Sequence, residues 1–457
     1  MSERPTPRSG RGPITAGEEP ILQSGTVARI EEPAPALFKG RWWLLAVLFF
    51  TAIISYSDRL ILSVLVDPLR ADLGLTDATV GLLQGPAFTL VYVFAALPLG
   101  RFADRTKRKL LLFCGSLLWC AATVLCGLAP SAAMFLAGRV LLGVGEAALI
   151  PTALSLLGDS FPPERRGLAL GVFLLGSVVG GPFGITIGGI LLSLAQAGSL
   201  ASLPGIGSLA PWRTVLATTG TAGLIAPLLI LTIAEPPRGR IEGTDFAATR
   251  RHFLSDWRRL VPLYGGLALL SIGDYGLVSW VPTALKRVFS WTPDRVGVAF
   301  GIITAGAGIA GSLLGGWIAD LAARRGGDRA RLVVSMAAAA LAITAAAAIA
   351  QGHADGALFG LGFWIFTATV GEVSAIAVIQ DVIPTQFRGT AFALLTFMNT
   401  LVGLGSGPPL IAATTEYVYR SPAAVDRAIS LVGMAVGLTA CALFFIARRA
   451  LARPPAH

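Results

Sequence analysis

The sequence predicts an all-α polytopic membrane protein, with twelve transmembrane helices arranged as two six-helix bundles related by a pseudo-twofold axis. Three observations lead there. Of 457 residues, 54% are hydrophobic and only 14% charged, and the mean hydropathy is +0.71. Soluble domains carry about 45–50% apolar and about 25% charged residues, so an ordinary cytosolic enzyme is excluded. The apolar residues gather into runs, such as 42–66, 132–157 and 333–350, close to the roughly 20 residues that cross a bilayer. The third observation is an internal repeat.

Along the chain, residues 1–38 hold six prolines and mixed charges without an apolar core, and read as a disordered cytosolic tail with no cleavable signal peptide. Spans at 42–66, 79–100, 110–128, 132–157, 167–193 and 212–233 make an N-terminal bundle over 39–233. The first carries Asp58 and Arg59, the third holds Cys114, Cys120 and Cys126, and the fourth carries Arg139 and Glu146. The fifth contains the glycine-rich run 176–189, with Gly180-Gly181-Pro182 and Gly188-Gly189, read as a packing and hinge element. Residues 234–259 form a cytosolic linker. Arg250, Arg251, Arg258 and Arg259 beside Phe253, Leu254 and Trp257 suggest a basic amphipathic helix on the inner surface, with a solvated linker as the other reading. Spans at 260–283, 295–319, 332–350, 356–380, 389–412 and 428–448 make a C-terminal bundle over 260–450, followed by a cytosolic tail, 451–457. Of these, the first carries Asp274, the fourth Glu372, and the fifth the run 403–409.

Charge orients the chain. Among 36 Lys and Arg, Arg59 and Arg139 fall inside spans, and Arg70, Arg213, Lys286, Arg287, Arg295, Arg420 and Arg427 fall in odd-numbered loops. The rest sit at the termini or in even-numbered loops. Positive residues collect on the cytoplasmic side, so both termini are expected inside, in a multi-pass protein of the cell's inner (plasma) membrane. The net charge of +10 is then topological and calls for no nucleic acid partner. The cysteine spacing suits neither a disulfide framework nor a metal site.

The repeat is read by adding 216 to first-half positions. Asp58 maps to Asp274; Thr76, Val80 and Gly81 map to Thr292, Val296 and Gly297; Gly100-x-x-Ala103-Asp104 maps to Gly316-x-x-Ala319-Asp320. At an offset of 222, Asp159-Ser-Phe-Pro162-x-x-x-Arg166-Gly167 maps to Asp381-Val-Ile-Pro384-x-x-x-Arg388-Gly389. Two like-oriented halves imply an axis along the membrane normal and a site between them near the midplane, geometry suited to alternating access.

The loop Gly100-Arg-Phe-Ala-Asp104-Arg105-Thr-Lys-Arg108-Lys109 resembles the signature between helices 2 and 3 of the major facilitator superfamily, and Gly316-Trp-Ile-Ala-Asp320-Leu-Ala-Ala-Arg324-Arg325 is a degenerate second copy. The likeness covers about residues 40–450. Ser55-Tyr-Ser-Asp58-Arg59 and Gly138-Arg139-x-x-x-Gly143-Val-Gly145-Glu146-Ala147 resemble the Spinster branch. The resemblance implies secondary active transport with proton coupling, and lysolipid or sphingoid-phosphate substrates.

A charge at mid-bilayer costs about 2.5–3.5 kcal/mol on insertion scales. Asp58, Arg59, Arg139, Glu146, Asp274 and Glu372 therefore each ask for a reason. Counting residues from the outer helix ends places Asp58 and Arg139 at about one depth, roughly 11–12 Å down, as partners across the bundle. Glu146, seven residues beyond Arg139, lies two turns deeper on the same face. The expected device is a proton switch in which protonated Asp58 releases Arg139 toward Glu146 or an anionic substrate; the other reading is a static ion pair between helices 1 and 4. Arg59, about 100° round from Asp58, either reaches a second acid or the substrate headgroup, or snorkels outward.

The central cavity is expected to be lined by Tyr56, Tyr92, Asp274, Tyr275, Trp280, Trp364, Phe366 and Asn399 with Arg59 and Arg139. A cytoplasmic gate is expected from Gly100, Asp104, Arg105, Arg108, Asp159, Arg166, Asp320, Arg324 and Arg388, with Lys109 and Glu164 as further partners. Glu372 is assigned to that gate or to a second proton site. The set is richer in aromatic than in amide or hydroxyl groups, so the expected substrate is an amphipathic, lipid-like anion. A small organic anion or a drug is the alternative. Protons and the bilayer are the other partners, no cofactor is expected, and the chain is expected to work as a monomer. A membrane enzyme is the rival from another class; His252, His353 and His457 all lie outside spans, and zinc-protease, nucleophile-elbow and phosphate-loop motifs are missing.

Overall fold

The computed structural model describes residues 40–238 and 246–452. The tail 1–38 and the end of the tail 451–457 lie outside the described residues. The chain is almost wholly helical, with long helices α1 (Arg41–Leu73), α2 (Asp77–Ala103), α3 (Arg108–Leu128), α4 (Ala132–Ser160), α5 (Glu164–Gln196), α6 (Pro211–Thr232) and α7 (Trp257–Arg287). A stretch of 57 residues, Pro293–Ile349, comes next. Its backbone leaves helical geometry at Gly326 and at Gly327, where φ is +60°. Glycine carries no Cβ penalty there, and the chain turns, giving α8 (293–325) and α9 (328–349). The series closes with α10 (Ala354–Val382), α11 (Arg388–Val418) and α12 (Pro422–Ala450). Twelve spans result among the described residues, in the order the hydropathy predicts. A shorter helix, Phe246–Ser255, stands in the linker ahead of α7.

Local chemistry sets several of the ends. Thr76 and Ser131 accept the Thr79 and Met134 amides at the starts of α2 and α4, satisfying donors the first turn leaves orphaned. Pro211 and Pro293 open α6 and α8, where a missing N–H costs nothing. Several helices are interrupted inside the bundle, among them α1 at Ile61 and α6 at Leu224. Gly85-Pro86 breaks α2, and a turn at Ala147-Ala148 breaks α4 directly after Glu146.

A continuous ladder of close approaches joins α5 to α1. A Cβ at Gly176, Gly180, Gly184 or Gly188 would stand 2.5–2.6 Å from Phe49 O, Ile53 O, the Ser57 backbone or Ile61. These glycines are four apart, on one stripe of α5, and they meet α1 residues that are also four apart. Ser57 Oγ adds a hydrogen bond to Gly180 O at 2.9 Å. The opposite face of α5 packs on α8, with Gly189 against Pro293 O, and α2 packs on α11, with Gly81 against Ala412. These two seams join the halves.

Hydrogen bonds across the halves cluster at the end of the bundle that carries the α1–α2 and α7–α8 connections. Arg287 of α7 binds Asp77 through two nitrogens at 2.8 Å and Asp67 at 2.6 Å. Lys286 donates to Val64 O, Thr283 to Ser63 O, and Thr186 to Gly297 O. Glu416 of α11 accepts the Ala78 amide in the first turn of α2 at 2.8 Å, where the helix dipole favours a carboxylate. Below this layer an apolar cluster crosses the seam, with Leu62, Leu65 and Val80 against Trp280, Leu285 and Val296. This is the closed end.

Candidate functional site

Close contact with α5 holds the rotation of α1 and so aims Asp58 and Arg59. Both are about 95% buried. Arg59 reaches α4, where its Nη2 donates to Glu146 Oε2 at 2.5 Å. Its guanidinium also lies over three rings, Tyr56 at 4.4 Å, Phe88 at 4.6 Å and Tyr92 at 5.1 Å. Gly143 and Gly145 let α4 come close to α2 and α3: a Cβ would fall 2.9 Å from Phe88 O and 2.7 Å from Gly115 O. The Gly-Val-Gly-Glu pattern thus seats the acid between three helices. Of the readings open for Arg59, the second acid holds.

Asp58 faces α3 instead, accepting the Thr123 hydroxyl at 3.2 Å. Arg139 donates through Nε to Leu83 O at 3.1 Å, next to the break in α2, and its Nη2 has no hydrogen-bond partner among the described residues. Asp58, Arg139, Thr123 and Cys126 share one small cavity closed by Ile61, Phe135 and Leu142. The expected ion pair between Asp58 and Arg139 is therefore corrected. The depth count was sound enough to bring them to one cavity, but the pair formed within 4.0 Å is Arg59–Glu146. Depth along an axis says nothing about rotation around it.

In the second half, Asp274 receives the Trp364 indole N–H at 2.7 Å and lies beside Glu372. Ser271 approaches Glu372 at 3.5 Å. Glu372 thus belongs to the interior of the C-terminal helices beside Asp274, which corrects its assignment to the gate. Tyr275 points the other way and packs against the core that holds Phe88 and Tyr92. Trp280 is fully buried and donates to Pro408 O at 2.9 Å; it is a packing residue of the seam, not a cavity wall. Trp364 is fully buried as well and acts through Asp274. Phe366 is half-buried, with its backbone against Gly311. Asn399 is half-buried with an unpartnered Oδ1.

Far from the closed end, the loop motifs tie segments within each half. Arg108 pairs with Asp159 and with Glu235, and also donates to Pro236 O. Lys109 Nζ donates to Leu231 O. Arg331 pairs with Asp381, Asp328 and, at 3.8 Å, Asp320. Arg166 and Arg388 donate alike to Phe161 O and Ile383 O, an equivalence the 222 offset foretells. Arg324 is exposed, so the second-half counterpart of Arg108 is Arg331, correcting the assignment to Arg324. The longer α8–α9 connection had already shifted the register. Gly100 packs near Pro151, Arg105 and Glu164 are exposed, and the side chain of Asp104 lies outside the described residues. Residues that sequence reasoning missed include Phe88, Thr123, Glu235 and Arg331, and Arg287 with Asp67 and Asp77. The last three had a visible signal, a basic pair ending one span opposite acids flanking another loop.

Known proteins resemble this chain along most of its length. The Major Facilitator Superfamily profile matches residues 48–408. An MFS-type efflux pump of Mycolicibacterium smegmatis is 27% identical over 420 residues, covering 89% of this chain and 92% of that protein. The sphingosine-1-phosphate transporter SPNS2 of Danio rerio is 27% identical over 422 residues, covering 84% and 79%. The crystal structure of a bacterial homolog of the human lysosomal transporter Spinster, inward-facing and unoccupied, superposes with a TM-score of 0.76 at 24% identity over 92% of this chain and 99% of that one. Twelve helices, a repeat carrying the signature loop in both halves, and a profile match over most of the chain agree: the protein belongs to the Major Facilitator Superfamily and resembles its Spinster-type transporters.

Proposed function

We propose that this transporter is proton-coupled, works by alternating access, and moves an amphipathic anionic lipid of the lysophospholipid or sphingoid-phosphate kind. The observation that carries the reading is the buried Arg59–Glu146 pair within three aromatic rings. A guanidinium with one carboxylate partner is an exchangeable anion site. A proton moving onto Glu146 removes that partner, and an anionic headgroup then takes its place on Arg59, with the rings supplying apolar surface for the chain behind the headgroup. Asp58 and Arg139, which line one adjoining cavity without an ion pair between them, are further ionisable groups beside this site. Positive-inside topology would put both termini in the cytoplasm of a plasma-membrane protein. The closed end is then the outer face. The zebrafish relative's named substrate favours the lipid; the mycobacterial efflux pump supports the alternative, a proton-coupled carrier of small organic anions or drugs.

Uptake of a labelled lysophospholipid into proteoliposomes, with and without an imposed pH gradient, tests this beside Asp58→Asn and Glu146→Gln. Gradient-dependent flux in the wild type, lost in Glu146→Gln, is the expected result. Full gradient-driven flux in both variants would remove proton coupling from these acids. No lipid flux from well-behaved protein would transfer the substrate to the small-anion class.

A further inference from the structure

The linker helix Phe246–Ser255 and the first turns of α7 present a surface that no transport step uses. Its inner face is accounted for: His252 stacks on Phe387 with ring centroids 5.1 Å apart, and Phe253 packs on the C-terminal core. The outer face is not. Arg250, Arg251 and Arg258 are exposed, and no ion pair among the described residues engages them. Between them, Leu254 is 65% exposed, Trp257 53% and Val261 60%. Arg250 and Leu254 share a face of the linker helix, and Trp257, Arg258 and Val261 share one in the first turns of α7, on either side of the non-helical residue Asp256, so a stripe of exposed cations and large apolar groups continues along the sequence from the linker helix into a membrane span. The Arg258 guanidinium lies over the Trp257 ring, 5.6 Å from its centroid.

This is the anatomy of a segment lying in a bilayer interface, where indole rings sit at headgroup depth and arginines take up phosphates. A solvated linker has no reason to expose Leu, Trp and Val beside three arginines without an ion pair among the described residues. The apolar residues fit acyl chains, and the charges fit a net negative headgroup better than a zwitterionic one, whose own ammonium competes. We infer that this stripe binds the headgroup of an anionic phospholipid in the adjacent leaflet. The lipid pins the inter-half linker to the membrane through the segment that leads directly into α7, which carries Asp274 and Arg287.

Native mass spectrometry of the full-length detergent-solubilised protein, titrated with phosphatidylglycerol or phosphatidylcholine, tests this without reference to transport. The wild type is expected to retain phosphatidylglycerol in preference to phosphatidylcholine, with retention falling as salt rises. The triple variant R250Q/R251Q/R258Q is expected to bind phosphatidylglycerol about 100-fold more weakly. A control, R448Q/R449Q, removes equal charge type from another helix end and is expected to leave retention intact. Retention unchanged in the triple variant, or lost in the control instead, overturns the site. A thermal melt confirms that each variant is folded, and Trp257→Ser serves as a second probe that keeps every charge; it is expected to weaken retention of both lipids.

Discussion

Asp58 and Arg59 carry opposite charges into an apolar bundle side by side, and a 100° helical step sends them to different neighbours. Burying an ion costs several kcal/mol even after relaxation. For Arg59 that cost is offset by Glu146 at 2.5 Å and by three ring faces, each attractive to a desolvated guanidinium. Removing one partner of a buried pair leaves the other uncompensated, at about 3–5 kcal/mol. Glu146→Gln should therefore lower the melting temperature in detergent substantially. Arg59→Lys keeps the charge but loses the planar group that stacks on the rings, and should fall between it and the wild type. The double variant Arg59→Met/Glu146→Met removes both charges and should recover much of the stability while remaining unable to transport. A melt of Glu146→Gln matching the wild type would mean the pair contributes nothing to the fold.

Helix packing decides where those side chains point. The glycines of α5 at 176, 180 and 184 meet α1 backbone, Gly188 meets the Ile61 and Val64 side chains, and none of the four has room for a methyl group. A Cβ at Gly184 would stand 2.5 Å from Ser57 Cα and O, and backbone cannot swing aside as a side chain can. Gly184→Ala is expected to cost about 1–3 kcal/mol by overpacking and to suppress transport by displacing Asp58 and Arg59. On the same helix, Gly171 has nothing within 4 Å of a built Cβ. There, Gly171→Ala should be neutral or stabilise by up to about 1 kcal/mol through helix propensity. Melts and uptake assays on the two variants check the contrast, and equal behaviour would deny the ladder its role. The same elements show how far the sequence alone could reach. Spans, their order and the repeat follow from hydropathy and spacing, which are local. The partner of Arg59 is not local: it depends on how far α1 is turned, and the signal for that turn was the four-residue glycine spacing, complementary to Phe49, Ile53, Ser57 and Ile61. The equivalence of Arg108 and Arg331 was hidden by a change of offset inside a loop.

The whole molecule is held in one of its conformations by polar contacts gathered at the closed end, and the balance between conformations depends on what those contacts contribute. Arg287 is the hub. Its side chain is only 10% exposed and it engages Asp67 and Asp77, while Asp77 also approaches Arg70 and Asp67 approaches Lys286. At the opposite end Arg108 and Arg331 serve their own halves, so under the proposed alternating access their ion pairs survive. Those of Arg287 cannot, because α1 and α2 must part from α7 for that end to open. Hydrogen bonds to charged groups contribute about 1.5–3 kcal/mol each, and each 1.4 kcal/mol is a tenfold population shift. Arg287→Gln should then move the equilibrium toward the state open at this end by about 10–100-fold. Spin labels at Ala71→Cys and Ala423→Cys, both exposed at this end, in a background with the four native cysteines replaced, would report it as a longer distance population. High salt should reproduce part of the shift in the wild type, since Asp67 is partly open to solvent. An unchanged distance distribution in Arg287→Gln would assign the closure to the apolar layer of Leu65, Val80, Trp280 and Val296 instead of the ionic hub.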